Sequence, residues 1–321
     1  IMKEKEIRPN KIFNKYLNLA KLDAKKIFKD LNKIKLNCFA CNGNSKKLFT
    51  KFGFTYCECI NCKTIFVNPR PKEKYFINFY TNGKSVKYWS DTFYKKTAKN
   101  RKEKLWKKKA ELILQRLNEK VELVDIGGGY GIFADVIRET SNNPITIIEP
   151  NKDLALICKK KKFNVIEKFV EDVNQSDLSN KKKCFLSFEL FEHLFDPKNM
   201  IDKVYKLMKK GDIFSFTTLS GSGFDIQMLQ EHSKSIFPPH HLNFFNPQSL
   251  ILLMKKIGFK KINIETPGKL DIDIVLNDIL HCKNKFIKEF LQKLNNQQKQ
   301  ELQKMISDTN SSSHIWVWAI K

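Results

Sequence analysis

The chain has 321 residues, enough for one large domain with an appendage or for two domains. No run approaches the ~18 consecutive apolar residues of a membrane span and no apolar signal core sits between the first lysines, so a cytoplasmic protein is expected. A net charge of +25 suits nucleic acid, yet the excess is scattered lysine, with arginine only at Arg8, Arg70, Arg101, Arg116 and Arg138, and nucleic acid ranks behind a small-molecule partner. Eight cysteines in a reducing compartment point to metal or buried thiols rather than disulfides.

Residues 1–36 read as a basic helical extension. Phe13, Tyr16, Leu17, Ala20, Ala24, Ile27 and Leu31 form nearly one helical stripe. The stripe suits packing on its own domain, or on a second subunit in a homodimer, better than an anionic membrane surface.

Residues 37–72 follow as a compact metal-binding unit. Cys38-x-x-Cys41 and Cys59-x-x-Cys62 have the separation of two knuckles in a four-cysteine zinc site, with Cys57 a spare. Such a zinc is structural, because protein ligands fill all four positions. Phe66-Val-Asn-Pro-Arg-Pro71 then stiffens the exit with two prolines around Arg70. Residues 73–118, rich in Phe, Tyr and Trp, read as a helical linker or cap able to close over a ligand pocket.

Residues 119–321 open on an apolar run ending in Asp125, then Gly127, Gly129, Tyr130 and Gly131, after which helical spacing resumes. Strand, glycine turn and helix begin a nucleotide-binding unit. The dinucleotide pattern G-x-G-x-x-G fails because Ile132 stands where its third glycine belongs; D-x-G-x-G-x-G fits instead. A carboxylate at the strand end suits an ammonium or sulfonium, and S-adenosylmethionine (SAM) carries both. Glu149, after the next apolar run, occupies the place of the acid that receives ribose hydroxyls.

This pattern resembles the class I SAM-dependent methyltransferases. The four-cysteine unit, the FVNPRP phrase and the FYTNGKSVKYW stretch that follows resemble one branch of them, associated with surface-polysaccharide and secondary metabolism. The resemblance spans about Cys38 to Phe259. It implies SAM as cofactor, an adenine contact near Glu171-Asp172, and a small hydroxylated acceptor, a sugar or sugar-nucleotide. A ribosomal-RNA methyltransferase with a zinc ribbon and a non-catalytic SAM-binding scaffold are the alternatives.

Further strands are expected at 144–148, 163–166, 184–188, 213–218, 261–265 and 315–320, with a helical insertion at about 270–310. Together with the first they give a Rossmann-like α/β fold, a seven-stranded doubly wound sheet. Two stretches reach its carboxyl edge. In Glu189-Leu-Phe-Glu192-His193 the spacing places both acids and the histidine on one face of a helical turn; there they touch SAM or hold a divalent cation, as a similar phrase is connected with metal in quinone-biosynthesis O-methyltransferases. In Phe237-Pro-Pro-His240-His241-Leu-Asn243 a rigid backbone presents two histidines. An acceptor hydroxyl must lose a proton in line with the sulfonium, so His241 is the first choice as base, with His240 and His193 behind it. No Pro-Pro-aromatic box follows the fourth strand and no Pro-Cys is present, which disfavours amino-methylation of bases.

Overall fold

The computed structural model describes residues 3–117 and 119–321. Ile1 and Met2, at the start of the expected extension, and Asn118, at the end of the expected cap, lie outside the described residues.

Three short strands, β1 (Ser45–Lys51), β2 (Phe54–Cys59) and β3 (Ile65–Val67), belong to the cysteine-bearing unit. The central sheet uses β4 (Glu122–Ile126), β5 (Ile145–Ile148), β6 (Asn164–Ile166), β7 (Lys183–Ser187), β8 (Ile213–Leu219), β10 (Lys261–Glu265) and β11 (His314–Ile320). Between them in sequence lies β9, the dipeptide Asn243–Phe244. Central order is β10-β11-β8-β7-β4-β5-β6, and only β11 runs antiparallel to its neighbours. This is the seven-stranded class I methyltransferase sheet, and the expected strands match it within one residue or so.

Alternation along the strands divides the core. Val124, Ile126, Phe185, Phe214 and Phe216 pack beneath the helices Pro197–Leu207 and Pro247–Ile257. Leu123, Cys184 and Leu186 face the other way, with Trp106, Ile113, Phe133 and Ile137 of the helices that cover that side. Asp125 shares the register of Leu123 and therefore faces this second layer, which carries Arg101 and Lys109.

Residues 84–116 are helical throughout, with π-helical turns at Trp89–Tyr94 and Lys102–Trp106. Helix Asn10–Ile27 buries Phe13, Tyr16, Ala20, Asp23 and Ala24 against this region. The insertion contains helices Asp271–Asn277, Lys285–Lys293 and Asn296–Asp308. No helix among the described residues is long and apolar enough to cross a membrane.

β9 is not among the expected strands. It adds to β3 with Asn243 opposite Phe66, so the smaller sheet has the order β9-β3-β2-β1. The cysteine-bearing unit therefore shares a sheet with the segment after β8. Arg70 fastens the join. Its guanidinium is fully buried and donates to the Phe195 carbonyl at 2.5 Å, to Asn243 Oδ1 at 2.7 Å and to the Leu242 carbonyl at 3.3 Å.

Candidate functional site

The four cysteines form two matching knuckles. Cys38 N donates to the Gly43 carbonyl and Asn42 N to the Cys38 carbonyl; Cys59 N and Lys63 N repeat both bonds with Thr64 and Cys59. Asn42 and Lys63 occupy equivalent left-handed positions, at φ 64° and 61°. Ligand atoms of Cys38, Cys41, Cys59 and Cys62 all lie within 4.8 Å of one another, a spacing that fits one tetrahedral metal ion. Cys57 turns away, donating to the Asn68 carbonyl.

At the carboxyl edge of β4 and β5 the glycine turn and two acids meet. Glu149 accepts from Gly129 N and from Asn151 N, both at 2.9 Å, which ties the turn to the end of β5. Gly127, Gly129 and Gly131 all have positive φ. Gly128, not singled out by the motif, is the crowded one: a Cβ there would lie 2.7 Å from Ile147 and 3.1 Å from Asp125 Oδ2. A Cβ on Gly129 would meet nothing within 4 Å, so that backbone faces open space.

Asp125 is 3% exposed and its Oδ2 has no hydrogen-bond partner. Burial, with Glu149 close by, pushes its carboxyl up to about 7. A buried acceptor without a donor beside an open glycine backbone fits a ligand that brings a cationic donor, as the amino-acid end of SAM does. Tyr130 stacks on Tyr94 at 4.6 Å and donates to the Ser90 carbonyl, so the helical cap closes over the turn. Asp172 lies exposed on the short turn Val170–Asp172 after β6.

The Glu189–His193 stretch differs from the expected helical face. Only Phe191–His193 forms a turn, and Glu189 stands outside it at φ 53°. Glu189 instead pairs with Arg101 at 2.6 Å. Burial alone raises its carboxyl, but Arg101 and Lys109 outweigh that and hold it at about 2. Glu189 thus leaves the expected cation set, and His241 takes its place: Glu192, His193 and His241 bring ligand atoms within 4.8 Å of one another.

The three histidines have distinct surroundings. His241 Nδ1 lies 2.7 Å from the Ser235 carbonyl. A carbonyl can only accept, so Nδ1 carries the proton and Nε2 of the neutral ring keeps its lone pair. Burial and the neighbouring His193 push its pKa well below the ordinary value. His193 Nδ1 meets the Tyr80 hydroxyl at 3.3 Å, and burial lowers its pKa to about 4. His240 is enclosed, stacked on Phe237, with Nε2 3.2 Å from Ser85 Oγ, which donates to the buried Asp23 at 2.6 Å. Glu192 accepts from Thr218 Oγ1 at 3.3 Å, and burial pushes its carboxyl up to about 7.

Several groups that no motif marks line the same edge. Lys109 lies over the rings of Phe188 and Trp106, and burial lowers its pKa to about 8. His314 heads β11 opposite Leu219. Asp225 is buried with neither carboxyl oxygen hydrogen-bonded, and burial beside Asp271 pushes it up to about 7. The only sequence signal for any of them is position at a strand or helix end.

Residues 97–264 match the methyltransferase-domain family. Among solved structures the chain is similar to a SAM-dependent methyltransferase of Thermotoga maritima, at 15% identity over 77% of this chain and 99% of that one, with a TM-score of 0.48. It is similar also to one from Archaeoglobus fulgidus, at 18% identity over 72% and 100%, TM-score 0.49. A third is the plantazolicin methyltransferase BamL, at 13% identity over 77% and 94%, TM-score 0.49. No curated protein matches the chain.

Proposed function

We propose, given that the chain belongs to the methyltransferase-domain family and is a SAM-dependent enzyme, that its acceptor is a small hydroxylated molecule, a sugar or sugar-nucleotide. Bound SAM supplies a methyl carbon made electrophilic by the sulfonium. Asp125 receives the cationic end of the cofactor and Glu149 the ribose hydroxyls, with Gly127, Gly129, Gly131 and Tyr130 shaping the cradle. Asp172 meets the adenine at the rim, and the Glu189–Arg101 pair borders the reacting groups.

The observation that carries the reading is the state of His241. Its Nδ1 is committed to the Ser235 carbonyl, so Nε2 is free to accept the hydroxyl proton, and burial keeps the ring neutral. A positioned base of this kind contributes roughly 10²–10⁴ in rate. His193, held by Tyr80, adjoins it, and His240 braces the backbone that presents it.

Glu192, His193 and His241 also suit a divalent cation, which would lower the pKa of a bound hydroxyl. The four cysteines hold a structural zinc. Incubation with methyl-labelled SAM and a panel of sugar phosphates and nucleotide-sugars tests the proposal: label should enter one class, and His241→Gln should remove it without weakening S-adenosylhomocysteine (SAH). Label entering only RNA, with steep salt dependence, would replace the acceptor class.

A further inference from the structure

Helix Lys285–Lys293 lies in the C-terminal insertion, beyond residues 97–264 that match the methyltransferase domain. It carries apolar side chains on an inner and an outer side. On the inner side Leu291 is fully buried and Ile287 and Leu294 are half-buried, in the cluster that contains Ile272 and Val275. These fasten the helix to the fold. On the outer side stand Phe286 and Phe290, one turn apart, 73% and 40% exposed, their rings nearly parallel with centres 6.1 Å apart.

Leu280, on the short turn Ile279–His281 before the helix, is 82% exposed. Leu280 and Phe286 are the two most exposed large apolar side chains among the described residues, and they fall within one short stretch. Single exposed apolar residues are ordinary, but a stacked aromatic pair with a bare leucine just ahead of it is surface that packing within the chain does not use.

Lysine accompanies this surface. Lys283, Lys285, Lys288 and Lys293 share the stretch with one acid, Glu289. Lys283 pairs with Glu231 at 2.8 Å, and Lys285 reaches Glu289 only at 4.0 Å with both side chains exposed. Lys288 and Lys293 pair with no acid among the described residues.

We propose that helix Lys285–Lys293, together with Leu280, docks the protein peripherally on an anionic lipid surface. The phenyl rings would enter the boundary between headgroups and acyl chains while the ammonium groups stay among the headgroup phosphates. Charge argues for this occupant. A second copy of the chain would bring the same lysines and its own net charge of +25 to the contact, and the two would repel. Nucleic acid would use the lysines but gain nothing from Leu280, and no arginine stands on this stretch. The other basic amphipathic helix, Asn10–Ile27, turns its apolar stripe inward. The assignment goes beyond the methyltransferase reading and does not depend on it.

The test mixes the full-length protein with vesicles of phosphatidylcholine alone, or of phosphatidylcholine with an equal part of phosphatidylglycerol, and reads bound protein by co-sedimentation. Binding to the anionic vesicles alone is expected. Phe286→Ser with Phe290→Ser should weaken it at least tenfold while net charge and thermal melting stay the same. Tryptophan fluorescence of Phe286→Trp should be quenched by brominated acyl chains more than that of wild type. Equal binding by the double variant would mean adsorption through scattered lysines and would overturn the proposal. So would absent binding to anionic vesicles, a wild-type dimer that the double variant dissolves, or RNA binding as the one property the double variant loses.

Discussion

The four-cysteine cluster and the Glu192–His193–His241 cluster are built on opposite principles. The first brings four soft ligands to one point from two knuckles that repeat each other bond for bond, so a metal held there would have no open position for a substrate. The second gathers three mixed groups, burial disfavours the charged form of each, and one ring nitrogen stays available. The contrast separates a proposed fastening from a proposed place of chemistry. The two are nonetheless linked, because β9 belongs to the cysteine-bearing sheet and begins two residues after His241.

The largest expected effect comes from breaking that link at the cysteines. If the cluster holds the proposed zinc, Cys38→Ser with Cys62→Ser, or treatment with a chelator, should cost on the order of 10 kcal/mol, the scale of structural zinc in small domains. Thermal stability and methyl transfer should fail together; transfer that survives loss of the cysteine cluster would show that β9 positions nothing.

Breaking the other cluster should leave the fold intact. His241→Gln should lower kcat by roughly 10²–10⁴, with SAH affinity and melting unchanged, as read by single-turnover transfer of labelled methyl. A drop in SAH affinity of the same size would instead make His241 part of the cofactor site.

The join itself can be cut at Arg70. Arg70→Met leaves Asn243 Oδ1 and the Phe195 carbonyl without their donor, while Val67 N still serves the Leu242 carbonyl, and should cost about 3 kcal/mol in denaturant unfolding. Unchanged stability would mean that the guanidinium's own burial cost, visible in a pKa lowered to about 9, cancels its bonds.

How much of this the sequence discloses depends on the range of the interaction. The central strands are legible because contiguous apolar runs need only their own neighbours, and the cysteine set is legible because knuckle spacing is local. β9 is two residues long with no pattern of its own; it becomes a strand because Phe66 lies opposite. Glu189 is misread for the same reason. Its spacing is helical, but its backbone turns to positive φ and its partner Arg101 lies 88 positions away.

The smallest effect belongs to Asp172. Asp172→Ala should weaken SAH about fivefold, the worth of roughly one hydrogen bond, and shift unfolding by less than about 0.5 kcal/mol because the side chain is exposed. Unchanged SAH affinity by calorimetry would remove it from the adenine contact.

The most direct measurement is calorimetric titration of the protein with SAH between pH 6 and 8, alongside Asp125→Ala. Only the carboxylate of Asp125 attracts the ligand's ammonium. Because burial raises that carboxyl to about 7, affinity should climb as pH rises through this value and level off above it. Asp125→Ala should bind at least tenfold more weakly at pH 8, about 1.4 kcal/mol, and show no such rise. Absent binding, or the same affinity and pH profile in both proteins, would contradict the assignment of the cofactor to this turn.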